Sequence, residues 1–213
     1  MTTLTSTEGS KKLVLRSDDG VLLPLHPARW HGSTTAEERH LLSAVRGPAL
    51  DVGCGPGRLL EALARRGVFG LGIDPAPAAV ALARSRGCSV LQRSVFDRMP
   101  AEGRWGTVLL LDGNVGIGGE PERLLRRCRE LLRSDGVVIV EVEPPGSGWS
   151  THRARLERGH EIGAWFGWAV VGADAIAMLA SAAGMRVQAI DATPASRWFA
   201  RLVLRACRAR ACA

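Results

Sequence analysis

Between Ala49 and Gly57 the chain reads A-L-D-V-G-C-G-P-G, and seventeen residues beyond Gly57 the segment G-L-G-I-D ends in Asp74. Glycines at 53 and 55 lack a Cβ, so the backbone there can turn sharply and let a ligand touch it. An acid closing the next strand is placed to accept hydrogen bonds from both hydroxyls of a ribose. Together these residues predict an adenosine-bearing cofactor on a strand-to-helix turn.

Two cofactor classes compete for such a turn. A dinucleotide site carries a third small residue three positions after the second glycine, because the helix must approach the strand beneath a pyrophosphate. Here that position is Arg58, and Gly57 comes one residue early. Asp51, near the end of the first strand, is an odd neighbour for a pyrophosphate. It suits a ligand with a positive amino group, such as S-adenosylmethionine, which has no phosphate.

The D-V-G-C-G-P-G turn, the G-I-D that follows and the later strands resemble a class I S-adenosylmethionine-dependent methyltransferase, over about residues 45–145. The resemblance implies an α/β fold: a doubly wound, mostly parallel seven-stranded sheet, Rossmann-like, with an antiparallel last strand and helices on both faces. It implies contact between the methionine part and Asp51, Gly53, Gly55 and Gly57, with Cys54 packing inside the turn or lining the site. It gives the ribose to Asp74, followed by Pro75. Family members usually carry an acid after the third strand, shortly before Leu-Pro. Here the stretch is R-S-V-F-D-R-M-P, so either Ser94 with Val95, or Asp97, takes the adenine-facing place, with the Val95 backbone favoured for the ring nitrogens. The Asn/Asp-Pro-Pro-aromatic motif of enzymes that methylate nucleobase or glutamine nitrogens is absent.

The elements that must hold these residues follow from periodicity. Residues 1–12 are polar and read as a disordered N-terminus; 13–33 read as irregular, broken by Pro24, Pro27 and Gly32. Ser33-Thr34-Thr35 caps a helix to about Val45, with Glu37 and Glu38 in its first turn. Strands are expected at 49–54, 68–74, 89–94, 107–111 and 136–142, alternating with helices at 58–66, 78–86 and 122–133. A β-hairpin insertion over about 146–172 follows. Asp174 then caps a helix to Ala183, and strands 185–190 and 197–204 close a single domain spanning 13–205.

Parallel sheets bind ligands beyond the carboxyl ends of their strands, which brings Asp112 and Asn114, in the glycine-rich L-L-D-G-N-V-G-I-G-G, to the site. Candidates for a catalytic base are His31, Glu143 and His152, with Glu141 and His160 behind them. A base matters only where the acceptor must lose a proton. Trp149, Trp165 and Trp168 fall in the insertion and would line an acceptor pocket for an apolar or aromatic small molecule. The rival use of the hairpin is a homodimer seam.

Composition narrows the partners. The 213 residues are 46% hydrophobic and 23% charged, ordinary for a soluble globule. No apolar stretch reaches the ~20 residues that cross a bilayer, and the N-terminus lacks a signal-peptide core, so a cytoplasmic protein is expected. The net charge of +7 comes almost wholly from arginines dispersed over helix faces, clustering only in the tail 206–213 and just before it. Nucleic acid is therefore not the expected partner. Five scattered cysteines form no metal pattern and read as reduced thiols.

The expected activity is methyl transfer from S-adenosylmethionine to a small molecule. Its rivals are an RNA or protein methyltransferase, an NAD(P)-dependent oxidoreductase, and a non-catalytic S-adenosylmethionine-binding protein.

Overall fold

The computed structural model describes residues 12–205. The expected disordered N-terminus (Lys12 apart) and the basic tail lie outside the described residues. Two sheets organise the chain. The larger has seven strands: β3 (Ala49–Val52), β4 (Gly70–Asp74), β5 (Val90–Gln92), β6 (Trp105–Leu110), β7 (Leu132–Val142), β11 (Met185–Ala192) and β12 (Trp198–Leu204), in the order β11-β12-β7-β6-β3-β4-β5. Pairing is parallel from β5 through β7, and only β12 runs antiparallel to its neighbours. The order reverses beside β3, so the carboxyl ends of β3 and β6 flank the crevice where such sheets take ligands.

Helices cover both faces, and the alternation along each strand says which. Val108 and Leu110 of β6 pack with α5 (Pro121–Leu131) and α6 (Ile176–Ala182), while Leu109 and Leu111 pack with α2 (Ala36–Ser43) and α3 (Arg58–Ala64). Helix α4 (Pro77–Ser85) covers the β4–β5 end with Val80 and Ala83. Leu50, Leu63, Leu109, Leu110, Leu124 and Leu125 are fully buried. Truncating any of them to alanine would cost about 2–5 kcal/mol.

The second sheet corrects the expectation that 13–33 is irregular. Strands β1 (Leu13–Ser17) and β2 (Leu22–Leu23) join β8 (Trp149–Arg158), β9 (Glu161–Ile162) and β10 (Phe166–Val171) in an antiparallel sheet ordered β10-β8-β1-β2. The insertion is thus a hairpin that recruits the N-terminal segment. Leu15, Leu23 and Ala154 form its buried apolar centre, against which Leu156, Trp168 and Val170 pack. Pro24 and Pro27 fall outside these strands; Pro27 opens a short helix α1 (Pro27–His31), where its missing N–H costs nothing.

Asp174 does not cap α6, whose N-cap is Ala175. Its carboxylate instead accepts from the Gly148 amide at 3.2 and 3.3 Å, closing the loop before β8. Thr35 caps α2 as expected, and with Glu38 it forms a reciprocal capping box.

Candidate functional site

The turn between β3 and α3 is built by three glycines with three different jobs. All have positive φ: +70° at Gly53, +51° at Gly55 and +86° at Gly57. A Cβ at Gly53 would lie 2.7 Å from Asn114 Nδ2, and one at Gly57 would lie 2.9 Å from Cys88 Sγ. Those two glycines admit neighbouring protein. Among the described residues a Cβ at Gly55 meets nothing within 4 Å, so Gly55 is the member of the trio that faces open space. Asn114 closes the turn from the β6 side, donating to Val52 O at 2.8 Å and Gly53 O at 3.0 Å. Cys54 turns its thiol into the core beside Leu60, Val80 and Ala83, and burial raises its pKa far above the ordinary thiol value.

Asp74 is locked by its own turn. Its Oδ2 accepts from the Gly55 amide at 2.9 Å and its Oδ1 from the Ala76 amide at 2.8 Å. Each carboxylate oxygen can accept more than one bond, so capacity remains for a ligand's hydroxyls. Pro75, exposed, follows it.

Asp51 is 1% exposed, and its Oδ2 has no hydrogen-bond partner among the described residues. Burial pushes its pKa up to about 7; Arg58 opposes the rise, while Asp112 and Asp74 add to it. A buried carboxyl with an unfilled acceptor oxygen is stabilised by a cationic donor and disfavours a phosphate. Asp51 therefore fits an ammonium-bearing ligand, and Gly55 leaves room above the turn for one.

After β5, Asp97 folds back on its own loop: its Oδ2 accepts from the Ser94 amide at 2.9 Å. Ser94 Oγ accepts from Phe96 N at 3.3 Å, and the Val95 side chain is buried in the core. Arg127, on α5, clamps this loop by donating to Val95 O at 3.1 Å and Asp97 O at 2.8 Å. The sequence reading assigned Arg127 only to a helix surface.

Sequence reasoning also missed a buried ionic network at the carboxyl ends of the strands. Arg58 donates to Glu38 Oε2 and Asp112 Oδ2, each at 2.5 Å. Arg197 donates to Glu38 Oε1 at 2.7 Å and to both Glu141 oxygens at 2.8 Å. Glu141 Oε2 also accepts from the Asp112 amide at 2.7 Å, and Arg29 reaches Oε1 at 3.3 Å. Burial pushes the Glu38 carboxyl up, but hydrogen bonds from Arg197 and the Thr35 backbone, with the Arg58 charge, hold it below the ordinary range. Asp112, at φ +56°, is raised by burial despite Arg58, and its Oδ1 lacks a hydrogen bond among the described residues. The available signal was Glu141 inside the otherwise apolar run V-V-I-V-E-V.

The acceptor-side candidates separate. Trp168 lies against the loop after β6: a Cβ at Gly113 would be 3.6 Å from its ring and one at Gly116 2.8 Å. A small pocket there is walled by Trp168, Glu141, Glu143, Val115 and Pro24. His152 sits opposite Trp168 in the β8–β10 register, with Nε2 at 2.8 Å from Ser150 Oγ. Trp165 is stacked elsewhere, 4.6 Å from the Arg155 guanidinium and 5.9 Å from that of Arg153. Trp149 is exposed, as is His31 at the end of α1. His26, at the N-cap of α1, is the histidine that feels the network. Partial burial and the Arg29 charge lower its pKa, while Glu141 and Asp112 act in the opposite sense.

Comparisons with known proteins agree with this architecture. Residues 49–136 match the family described as a methyltransferase domain. A ubiquinone biosynthesis O-methyltransferase of Azorhizobium caulinodans is 34% identical over 102 residues, covering 43% of this chain and 38% of that protein. One of the same description from Pseudomonas aeruginosa is 32% identical over 124 residues, covering 55% and 52%. The chain thus spans about half or less of the length of these curated relatives. Among solved structures, a SAM-dependent methyltransferase from Bacteroides fragilis in complex with S-adenosyl-L-homocysteine superposes with a TM-score of 0.76. It is 23% identical, and the match covers 94% of this chain and 90% of that one.

Proposed function

We propose that the chain, whose residues 49–136 match a methyltransferase-domain family, is a class I S-adenosylmethionine-dependent methyltransferase that binds S-adenosylmethionine on the β3–α3 turn and transfers the methyl group to a small molecule. The observation that carries this reading is Asp51: a buried carboxyl with an unpartnered oxygen beneath a glycine turn open at Gly55. That pairing suits an ammonium and disfavours a pyrophosphate. The known structures and curated relatives of similar architecture support it.

When bound, the cofactor supplies a methyl group activated by a sulfonium. The chain's residues supply placement. Asp51 would hold the ammonium, with Gly53, Gly55 and Gly57 shaping the turn against the methionine part. Asp74 would take the ribose hydroxyls, and the Ser94–Asp97 loop, fixed by Arg127, would meet the adenine. Displacement at a methyl carbon needs donor and acceptor in line, and alignment alone supplies a large share of the acceleration. The Arg58–Asp112 and Arg197–Glu141 pairs fix the strand ends that set this alignment. Trp168, Glu143 and His152 would face the acceptor, with Trp149 and Trp165 on the same insertion. Residues 13–205 would work as one domain, in the cytoplasm.

The test is release of S-adenosylhomocysteine from S-adenosylmethionine across panels of small amines and phenols, total RNA and a protein lysate. Turnover with a small molecule supports the proposal. Turnover on RNA or protein alone would replace its acceptor class.

A further inference from the structure

The pocket beside Trp168 bears on the acceptor's chemistry, on the premise that the chain is the methyltransferase proposed above. Among the described residues its walls are otherwise apolar or glycine, and its ionisable lining groups are Glu141 and Glu143. Their situations differ. Glu141 is saturated by Arg197, Arg29 and the Asp112 amide. Among the described residues no side chain hydrogen-bonds or ion-pairs with the Glu143 carboxylate. Burial, and then the Glu141 charge, raise its pKa; Arg29 opposes this only through space.

A half-buried carboxylate without a partner is costly, and an incoming cation that hydrogen-bonds to it removes the cost. An anionic group entering the same pocket would meet the uncompensated Glu143 carboxylate. A neutral group would leave the Glu143 charge uncompensated. The indole of Trp168 forms an adjoining wall, and an aromatic face attracts a cation within about 6 Å. The pocket's free volume is about 20 Å³. That exceeds the roughly 10–15 Å³ a single water needs, and so admits one group of ammonium size. We propose that this pocket receives a protonated amine of the methyl acceptor, seated between the Glu143 carboxylate and the Trp168 indole. The acceptor is then an amine-bearing small molecule rather than an acid or a plain phenol.

Benzylammonium and benzyl alcohol are a matched probe pair, alike in shape and different in charge. Each is titrated into the full chain already saturated with S-adenosylhomocysteine, and binding is read by saturation-transfer NMR. Benzylammonium should bind about tenfold or more tightly than the alcohol, the scale of a hydrogen-bonded charge. In Glu143→Gln, checked for folding by its retained binding of S-adenosylhomocysteine, that preference should vanish. Glu143→Asp, which keeps the charge, should retain part of it. Equal binding of the two probes, no binding of either, or an undiminished preference in Glu143→Gln would overturn the proposal. Failure of S-adenosylhomocysteine to bind the wild-type chain would instead bring down the proposed function itself.

Discussion

Arg197 meets Glu141 side on: its Nε and Nη2 donate to the two carboxylate oxygens at 2.8 Å each, with both side chains almost fully buried. Arg197 immediately precedes β12 and Glu141 is on β7, neighbours in the sheet. The third donor, Nη1, reaches Glu38 on α2, so one guanidinium ties the N-terminal helix to the strand ends beside the proposed cofactor site.

Removing this guanidinium takes from Glu141 its two-pronged partner, leaving Arg29 and the Asp112 amide, and leaves Glu38 to Arg58 and the Thr35 amide. Arg197→Ala should destabilise the fold by about 3–5 kcal/mol, the usual penalty for breaking a buried pair. For a chain of this size that lowers Tm by roughly 6–20 °C. The exposed pair of Arg133 with Asp135 provides the contrast, and Arg133→Ala should cost about 1 kcal/mol or less. Thermal unfolding of the two variants side by side checks this. Equal shifts would mean the network carries no stability.

Asp51 gives a pH signature with a definite sign. Its pKa rises from 3.8 unfolded to about 7 folded. Between those values the folded chain holds a proton that the unfolded chain has released. The stability it contributes is thus fully present below 3.8 and is lost as pH climbs through about 7. Ligand-free wild type should lose more stability than Asp51→Asn between pH 4 and pH 8, measured by urea unfolding. A cationic ligand shows the opposite trend, because it needs the ionised carboxylate. Affinity for S-adenosylmethionine should climb as pH passes about 7 in wild type and stay flat in Asp51→Asn. Parallel pH profiles for the two proteins would remove Asp51 from the site.

The sheet and the glycine turn were legible because their signals are local. Unbroken apolar runs such as Thr107–Leu111 mark strands buried on both faces, and D-V-G-C-G-P-G places its glycines by spacing alone. Strands β1 and β2 were not legible. Leu13–Ser17 is short, and what makes it a strand is pairing with Ala154–Arg158, some 140 residues away. The ionic network was hidden for the same reason. Glu38, Arg58, Asp112, Glu141 and Arg197 are spread across the chain, and although Asp112 and Glu141 stood out singly, nothing local ties the five together. Among the tryptophans, composition grouped Trp165 with Trp168. Only the backbone path puts Trp168 on the Gly113–Gly116 turn and Trp165 under Arg155.

Asp74 should contribute to affinity more than to folding, since its two backbone bonds serve a turn at the rim of the site. Asp74→Ala should weaken binding of S-adenosylmethionine by about 1.5–3 kcal/mol, roughly 10- to 150-fold, as expected for hydrogen bonds to a charged group. Methionine, which has no ribose, should compete for the site equally well in the variant and in wild type. Calorimetric displacement measures both. A uniform loss for both ligands would assign Asp74 to the turn's structure and not to the ribose.

The central claim is that the open side of the glycine turn holds S-adenosylmethionine, and Gly55 tests it most directly. A Cβ there meets no atom of the described residues within 4 Å, whereas one at Gly57 runs into Cys88 and Ala83. Gly55→Val should therefore leave a folded chain, weakened by about 1–3 kcal/mol for its φ of +51°, and should exclude the ligand. Isothermal titration of S-adenosylmethionine and NAD into wild type and Gly55→Val decides the matter. The expected result is saturable binding of S-adenosylmethionine to wild type, none of NAD, and none of either to a folded Gly55→Val. Binding of NAD in preference to S-adenosylmethionine, or undiminished S-adenosylmethionine affinity in Gly55→Val, would contradict the account.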